Sequence, residues 1–120
     1  MMATGLEAFA EDDFCYLTTR GRVTGRPHTI EIWFALHDTT LYMLSGGGAR
    51  ADWVKNARHT PEVTVRLRDQ QFTGAARVVE HPDEDALARR LLVDKYQPSS
   101  GDDLTSWGRT SLPVAVDLKV

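Results

Sequence analysis

Six stretches of strand character, with one short inserted helix and one longer C-terminal helix after the N-terminal segment, predict a mainly β, α+β domain built as a small split antiparallel barrel. Most of the strands follow one another with only short turns between them, which favours antiparallel pairing over a doubly wound parallel sheet. Closing the sheet also removes the edges that an open five-stranded arrangement would expose. A length of 120 residues supports a single domain over 1–120, with 1–13 as an N-terminal segment.

Residues 4–10 can form a short helix, with Thr4 as N-cap before Gly5. Phe14–Thr19, aromatic and β-branched, is the first strand, and it ends at the basic turn Arg20–Pro27. His28–Leu36 is the second strand. Ile30, Ile32, Phe34 and Leu36 alternate on one face, and Thr29, Glu31 and Trp33 share the other. After a turn at 37–40, Leu41–Leu44 returns as a hairpin partner. Ser45-Gly46-Gly47-Gly48 then leads into a short helix over Arg50–Arg58, limited by Pro61.

Val63, Val65 and Leu67 mark a half-exposed strand, with its turn at Asp69-Gln70. Phe72–Val79 returns, and Gly74 marks a bulge or a close backbone approach. Pro82 opens a longer helix. Asp83, Glu84 and Asp85 lie at its start, with Arg89, Arg90 and Lys95 further on, as the helix dipole prefers. This helix is expected to run to about Tyr96, followed by a loop over 97–106 and a final strand through Leu112, Val114, Val116 and Leu118.

The formal net charge of −3 disfavours a nucleic-acid binder. The charge is uneven: Arg20–Arg68 holds eight basic and four acidic residues, and the acidic excess lies outside it. Such a basic region suits a small anionic ligand, or it is ordinary surface patchiness. The single cysteine, Cys15, lies between Phe14 and Tyr16 and reads as a small buried hydrophobe. No run of about 18 apolar residues spans a membrane, and 1–13 lacks the pattern of a secretory signal, so the cytoplasm is the expected compartment.

Two loops could carry chemistry. The first offers Arg20, Arg22 and Arg26 with Gly21, Gly25 and Thr24, a set suited to phosphate although equally compatible with a solvated turn. The second, Ser45–Gly48, is a glycine-rich loop leading into a helix, an anion site or a flexible loop. Trp33 and Trp53 could stack on a flat ring or pack structurally. His28, His37, His59 and His81 lack metal-ligand spacing, so no metal is expected. With no obvious nucleophile, an enzyme on this chain needs a cofactor for its chemistry.

The stretch Leu17-Thr18-Thr19-Arg20-Gly21-Arg22-Val23-Thr24-Gly25-Arg26-Pro27, followed by Trp33, Ser45–Gly48, Trp53, Asn56 and Pro61–Val65, resembles the deazaflavin-dependent nitroreductase family of split β-barrel oxidoreductases. The closing segment Trp107–Val116 resembles the family's last strand, so the likeness spans about 14–120. It implies a split barrel and hydride transfer from reduced coenzyme F420 to a small organic acceptor: an activated alkene, a quinone or a nitro compound. It also implies that Arg22, Thr24, Arg26 and His28 hold the cofactor's phosphate and acidic tail. Ser45, Gly46, Gly47, Gly48, Trp53 and Asn56 would line ring and phosphate, Arg50 would replace a missing lysine, and Trp33 would sit on the pocket strand. Val23 stands where the family often has Lys, and Glu31-Ile32 where it usually has Pro-Leu. Tyr96, Ser45 and water are the candidate proton donors. FMN is the alternative cofactor, and a non-catalytic carrier of flavin, haem or fatty acid is the alternative function. Split barrels often pair, so a homodimer is the fold-level expectation.

Overall fold

The computed structural model describes residues 5–120. Its strands are β1 (Cys15–Arg20), β2 (Pro27–Ile32), β3 (Ala35–His37), β4 (Thr40–Ser45), β5 (Glu62–Leu67), β6 (Gln70–Val78) and β7 (Leu112–Leu118). Its α-helices are α1 (Asp52–His59), α2 (Pro82–Tyr96) and α3 (Thr105–Thr110). The strands form one antiparallel sheet in the order β2-β1-β5-β6-β7-β4-β3.

The two outermost strands, β2 and β3, are consecutive in the chain. Three residue steps join Ile32 to Ala35 and reach at most about 11 Å. A flat sheet of seven strands would hold its edges roughly 29 Å apart. The sheet therefore curls until its edges nearly meet, and no ladder joins them. This is a split barrel.

The second expected strand, 28–36, is thus two strands, giving seven rather than six. The break at Trp33-Phe34 has a specific cause. The backbone of Phe34 is taken by α2: its N–H donates to Tyr96 Oη (3.1 Å), and its carbonyl accepts from Lys95 Nζ (2.9 Å) and the Tyr96 hydroxyl (3.2 Å). The expected alternation survives the break, since Ile30, Ile32, Phe34 and Leu36 all pack in the same core.

Three local expectations are corrected. The β5–β6 turn is Arg68-Asp69, because Leu67 pairs with Gln70. Arg68 adopts φ 58° there while its guanidinium grips both carboxylate oxygens of Asp12 (2.8 and 2.9 Å) and the carbonyl of Ala8 (3.1 Å). The N-terminal helix is a single 3-10 turn, Leu6–Phe9, and Thr4 lies outside the described residues. Residues 105–110 form α3 rather than loop. Asp103, just before it, accepts from the Thr105 N–H (2.9 Å) and hydroxyl (2.6 Å).

Two cores stabilise the sheet, one on each face. Leu17, Phe34, Leu41, Met43, Val65, Val116 and their neighbours fill the inside of the curl, plugged by Leu6 and Phe9. Tyr42, Leu44, Ala88, Leu92, Tyr96 and Ala115 pack between sheet and α2. Strand β4 contributes to both, so its burial is continuous rather than alternating. Cys15 is fully buried, and burial pushes its thiol up to about 12. No helix among the described residues is long and apolar enough to cross a membrane.

Glu84 was expected to serve the helix dipole, and it does more. Its carboxylate accepts from both terminal nitrogens of Arg77 (2.6 and 2.8 Å) and from the Tyr42 hydroxyl (2.7 Å), while Arg77 also pairs with Asp117 (2.8 Å). The Arg77 guanidinium, then the Tyr42 hydroxyl, hold Glu84 down to about 2 from 4.5. The stability it confers is complete above the unfolded value and is lost as pH falls towards 2. Glu84→Gln is expected to lower stability at pH 7 and to flatten its loss between pH 4.5 and 2. Urea midpoints measured across that range check this.

Candidate functional site

The basic loop is folded by its own backbone. Gly21 N–H donates to the Arg26 carbonyl (2.7 Å) and Gly25 N–H to the Gly21 carbonyl (2.8 Å). Gly25 takes φ 76°, which glycine adopts without cost. Gly21 lets the loop close tightly: a Cβ there would lie 2.7 Å from Nε2 of His28, whose exposed ring would have to turn aside, and 3.1 Å from the Arg26 carbonyl. Thr24 Oγ1 accepts from the Arg26 N–H (3.2 Å), which fixes the tip.

Helix α1 reaches across to this loop through Asn56, a buried polar side chain. Its Oδ1 accepts from the Arg22 backbone N–H (3.2 Å) and from Arg22 Nη1 (2.7 Å). Its Nδ2 faces Thr19 Oγ1 at 3.5 Å. Arg22 Nη2 pairs with Asp52, the first residue of α1, at 3.2 Å. The Asp52 side chain is 84% exposed, so that pair is weak and an anion can displace it.

Between loop and helix lies a cavity of about 460 Å³, bounded by Thr19, Gly21, Arg22, Val23, Thr24, His28, Thr29, Ile30, Asp52, Trp53 and Asn56. Of the residues expected in the site, Arg22, Thr24, His28, Trp53 and Asn56 converge here. Arg26 is on the same loop, exposed, and does not line the cavity. Ser45, Gly46, Gly47, Gly48 and Arg50 do not line this cavity. Ser45 is buried and its hydroxyl donates to the Gly48 carbonyl (2.9 Å), holding the glycine loop in place. Gly48 takes φ 62°. Arg50 is exposed, with no ion pair among the described residues.

Trp33 lies elsewhere. It borders a second cavity, also about 460 Å³, with Glu31, Ile32, Leu44, Leu104 and Trp107. The indole stacks on the Tyr96 ring (centroids 4.1 Å apart, 3° between planes) and meets Trp107 edge-on (5.6 Å, 81°). The single Tyr96 hydroxyl hydrogen is shared between the Asp13 carbonyl (2.8 Å, the shorter contact) and that of Phe34 (3.2 Å), and burial pushes the phenol up to about 12. It is committed to the backbone at the strand break.

Sequence reasoning missed Asp52, Thr19 and most of the second cavity. Leu104 lies inside the segment read as loop, 97–106, and Trp107 just beyond it. A third cavity of about 310 Å³ behind α1 is floored by Val54, Ala57 and Val114, and its Arg77 is already held by Glu84 and Asp117.

Together the two cavities bracket β2: Thr29 and Ile30 line the first, and Glu31 and Ile32 the second. Both have volumes typical of small-molecule sites. The first combines forked and hydroxyl donors with Trp53 and Ile30, a donor set that fits an anionic tail joined to a flat ring. A deazaflavin coenzyme has that form. Among the described residues no group of three or more His, Cys, Asp or Glu side chains could hold a metal ion.

Comparison with solved structures gives the same fold. A conserved protein, Rv2991, from Mycobacterium tuberculosis superposes with TM-score 0.78 at 20% identity, covering 100% of this chain and 82% of that one. An F420-H2 dependent reductase (FDR-A) gives 0.69 at 19%, covering 90% and 95%. HutZ, the haem storage protein of Vibrio cholerae, gives 0.70 at 15%, covering 99% and 92%. No curated protein matches the chain. The sequence profile of the F420H(2)-dependent quinone reductases matches residues 3–119. The chain therefore belongs to the F420H(2)-dependent quinone reductase family, oxidoreductases whose cofactor is coenzyme F420.

Proposed function

We propose that the chain reduces a small flat acceptor, a quinone before an activated alkene or a nitro compound, with the cofactor in the basic cavity and the acceptor against Trp33. The observation that supports this is the pairing of a donor-rich cavity and an aromatic one along a single strand, β2. When bound, the reduced deazaflavin supplies a hydride. Arg22, Thr24 and His28 hold the anionic tail, and Asn56 keeps Arg22 oriented. Trp53 and Ile30 wall the ring, and Ser45–Gly48 sets the start of α1. Trp33 and Trp107 present flat apolar surface to the acceptor and keep water from it. Ser45 and Tyr96 both spend their hydroxyls on backbone carbonyls, so the proton that completes a hydroquinone comes from water.

Titration of tryptophan fluorescence with F420, run beside FMN, tests the reading. Saturable quenching by F420 and none by FMN is expected. Arg22→Ala should weaken F420 binding by about tenfold to a hundredfold, the worth of a charge-assisted bond to an anion. Quenching by FMN alone would overturn the placement. Tight F420 binding without turnover of any quinone would mark a carrier.

A further inference from the structure

The aromatic cavity carries a single charge. Ile32, Trp33, Leu44, Leu104 and Trp107 are apolar or aromatic, and only Glu31 is ionised; no Lys, Arg or His lines it. Glu31 forms no ion pair among the described residues. Its one polar partner is the Tyr16 hydroxyl, which donates to Oε1 at 3.4 Å, a long bond. Two cations lie one ring away: the Arg66 guanidinium, 4.3 Å from the centre of the Tyr16 ring, and the Lys95 ammonium, 5.1 Å from the centre of the Tyr96 ring on which Trp33 stacks; neither lines the cavity or pairs with Glu31. A carboxylate left unneutralised beside two indoles sets the sign of the field in the cavity. The indole faces add to it, since their quadrupoles also attract cations and repel anions.

We infer that Glu31 makes this cavity charge-selective, admitting planar acceptors that are neutral or positively charged and disfavouring anionic ones. The inference rests on the acceptor lying against Trp33. It names the substrate class more narrowly than the family does. A neutral quinone takes a hydride and one proton and leaves as the hydroquinone. A cationic heteroaromatic ring takes the hydride alone and leaves neutral, so Glu31 favours its entry and not its retention.

The experiment follows the three indole N–H signals of the chain by NMR during titration with 2-methyl-1,4-naphthoquinone, with 1,4-naphthoquinone-2-sulfonate and with the N-methylphenazinium cation. Wild type and Glu31→Gln are compared, without cofactor. In wild type the Trp33 and Trp107 signals should move and that of Trp53 should not. The sulfonate should bind about three- to tenfold more weakly than the neutral quinone, and the cation more tightly than either, as expected for a neighbouring charge at a partly solvated site. Glu31→Gln should bring the three affinities together, and 0.5 M salt should do the same in wild type. The ratio of kcat/KM for neutral over sulfonated quinone should fall in parallel in the F420-loaded enzyme. If none of the three ligands moves Trp33, the acceptor placement itself fails. If all move it but with equal affinities in both proteins, the acceptor placement stands and charge selection by Glu31 is overturned.

Discussion

Gly74→Ala is expected to lower stability by about 2–4 kcal/mol, through overpacking that the surroundings cannot relieve. Gly74 sits mid-strand in β6, paired with Val63 on one side and Leu118 on the other. A Cβ there would lie 2.6 Å from Val116 Cγ1 and 2.8 Å from the Asp117 carbonyl oxygen. The Val116 methyl could rotate away, but the carbonyl belongs to the β7 ladder and cannot move without opening it. Asp117 also anchors the Arg77 network, so any shift of β7 loosens Glu84 as well. Against a typical total of roughly 5–15 kcal/mol this is a large share, and a thermal melt should show a drop of about 10 °C or more. Gly74→Val should fail to fold. An alanine variant melting within a few degrees of wild type would mean that β7 yields at this point.

Asn56→Ala is expected to strike binding and stability together. The substitution strips the acceptor from two Arg22 donors, one of them a backbone N–H, in a buried position. Leaving these groups unsatisfied costs about 1–3 kcal/mol. Freed from Asn56, the Arg22 guanidinium keeps only the exposed Asp52 as partner, so its orientation towards an anionic tail is lost. F420 affinity should fall by about tenfold to a hundredfold. Asn56→Asp separates the two effects. It restores an acceptor for both donors, so stability should largely return. It also places a second carboxylate beside Asp52, so F420 binding should stay weak. Calorimetric titration of both variants, with melting curves, checks this. Equal affinities for F420 in wild type and Asn56→Ala would remove Arg22 from the tail site.

How far the sequence reaches is visible in particular residues. The faces of β2 and β3 were legible because the period of two continues through Ile30, Ile32, Phe34 and Leu36. Their separation was not, because it depends on Tyr96, 62 residues away, replacing the ladder at Phe34. The close approach at Gly74 could be read from a glycine inside a strand pattern, though not which residues it meets. Helix α3 is six residues long and contains Gly108, so neither periodicity nor propensity reveals it; Asp103, bonded to the Thr105 N–H, is the one local signal. In the site, Arg22, Thr24 and His28 stand out as a cluster of donors near glycines. Asp52 does not, because an acid in a first helical turn already has a sufficient explanation. Leu104 and Trp107 reach the aromatic cavity only through the packing of α3 on α2, where Gly108 has no room for a Cβ beside Val93.

The seam between β2 and β3 has a consequence for how the molecule opens. Strands β1, β5, β6, β7 and β4 are each bonded on two sides, so parting any of them breaks two ladders. The seam has no ladder and is latched by the Tyr96 hydroxyl and the Lys95 ammonium. Parting the strands there breaks these latches and the packing of Ile30, Ile32, Phe34 and Leu36, and no ladder. Both cavities border β2, one of the two strands that meet there. The candidate site thus borders the part of the sheet held by the fewest ladders, and the doubly bonded strands lie opposite it.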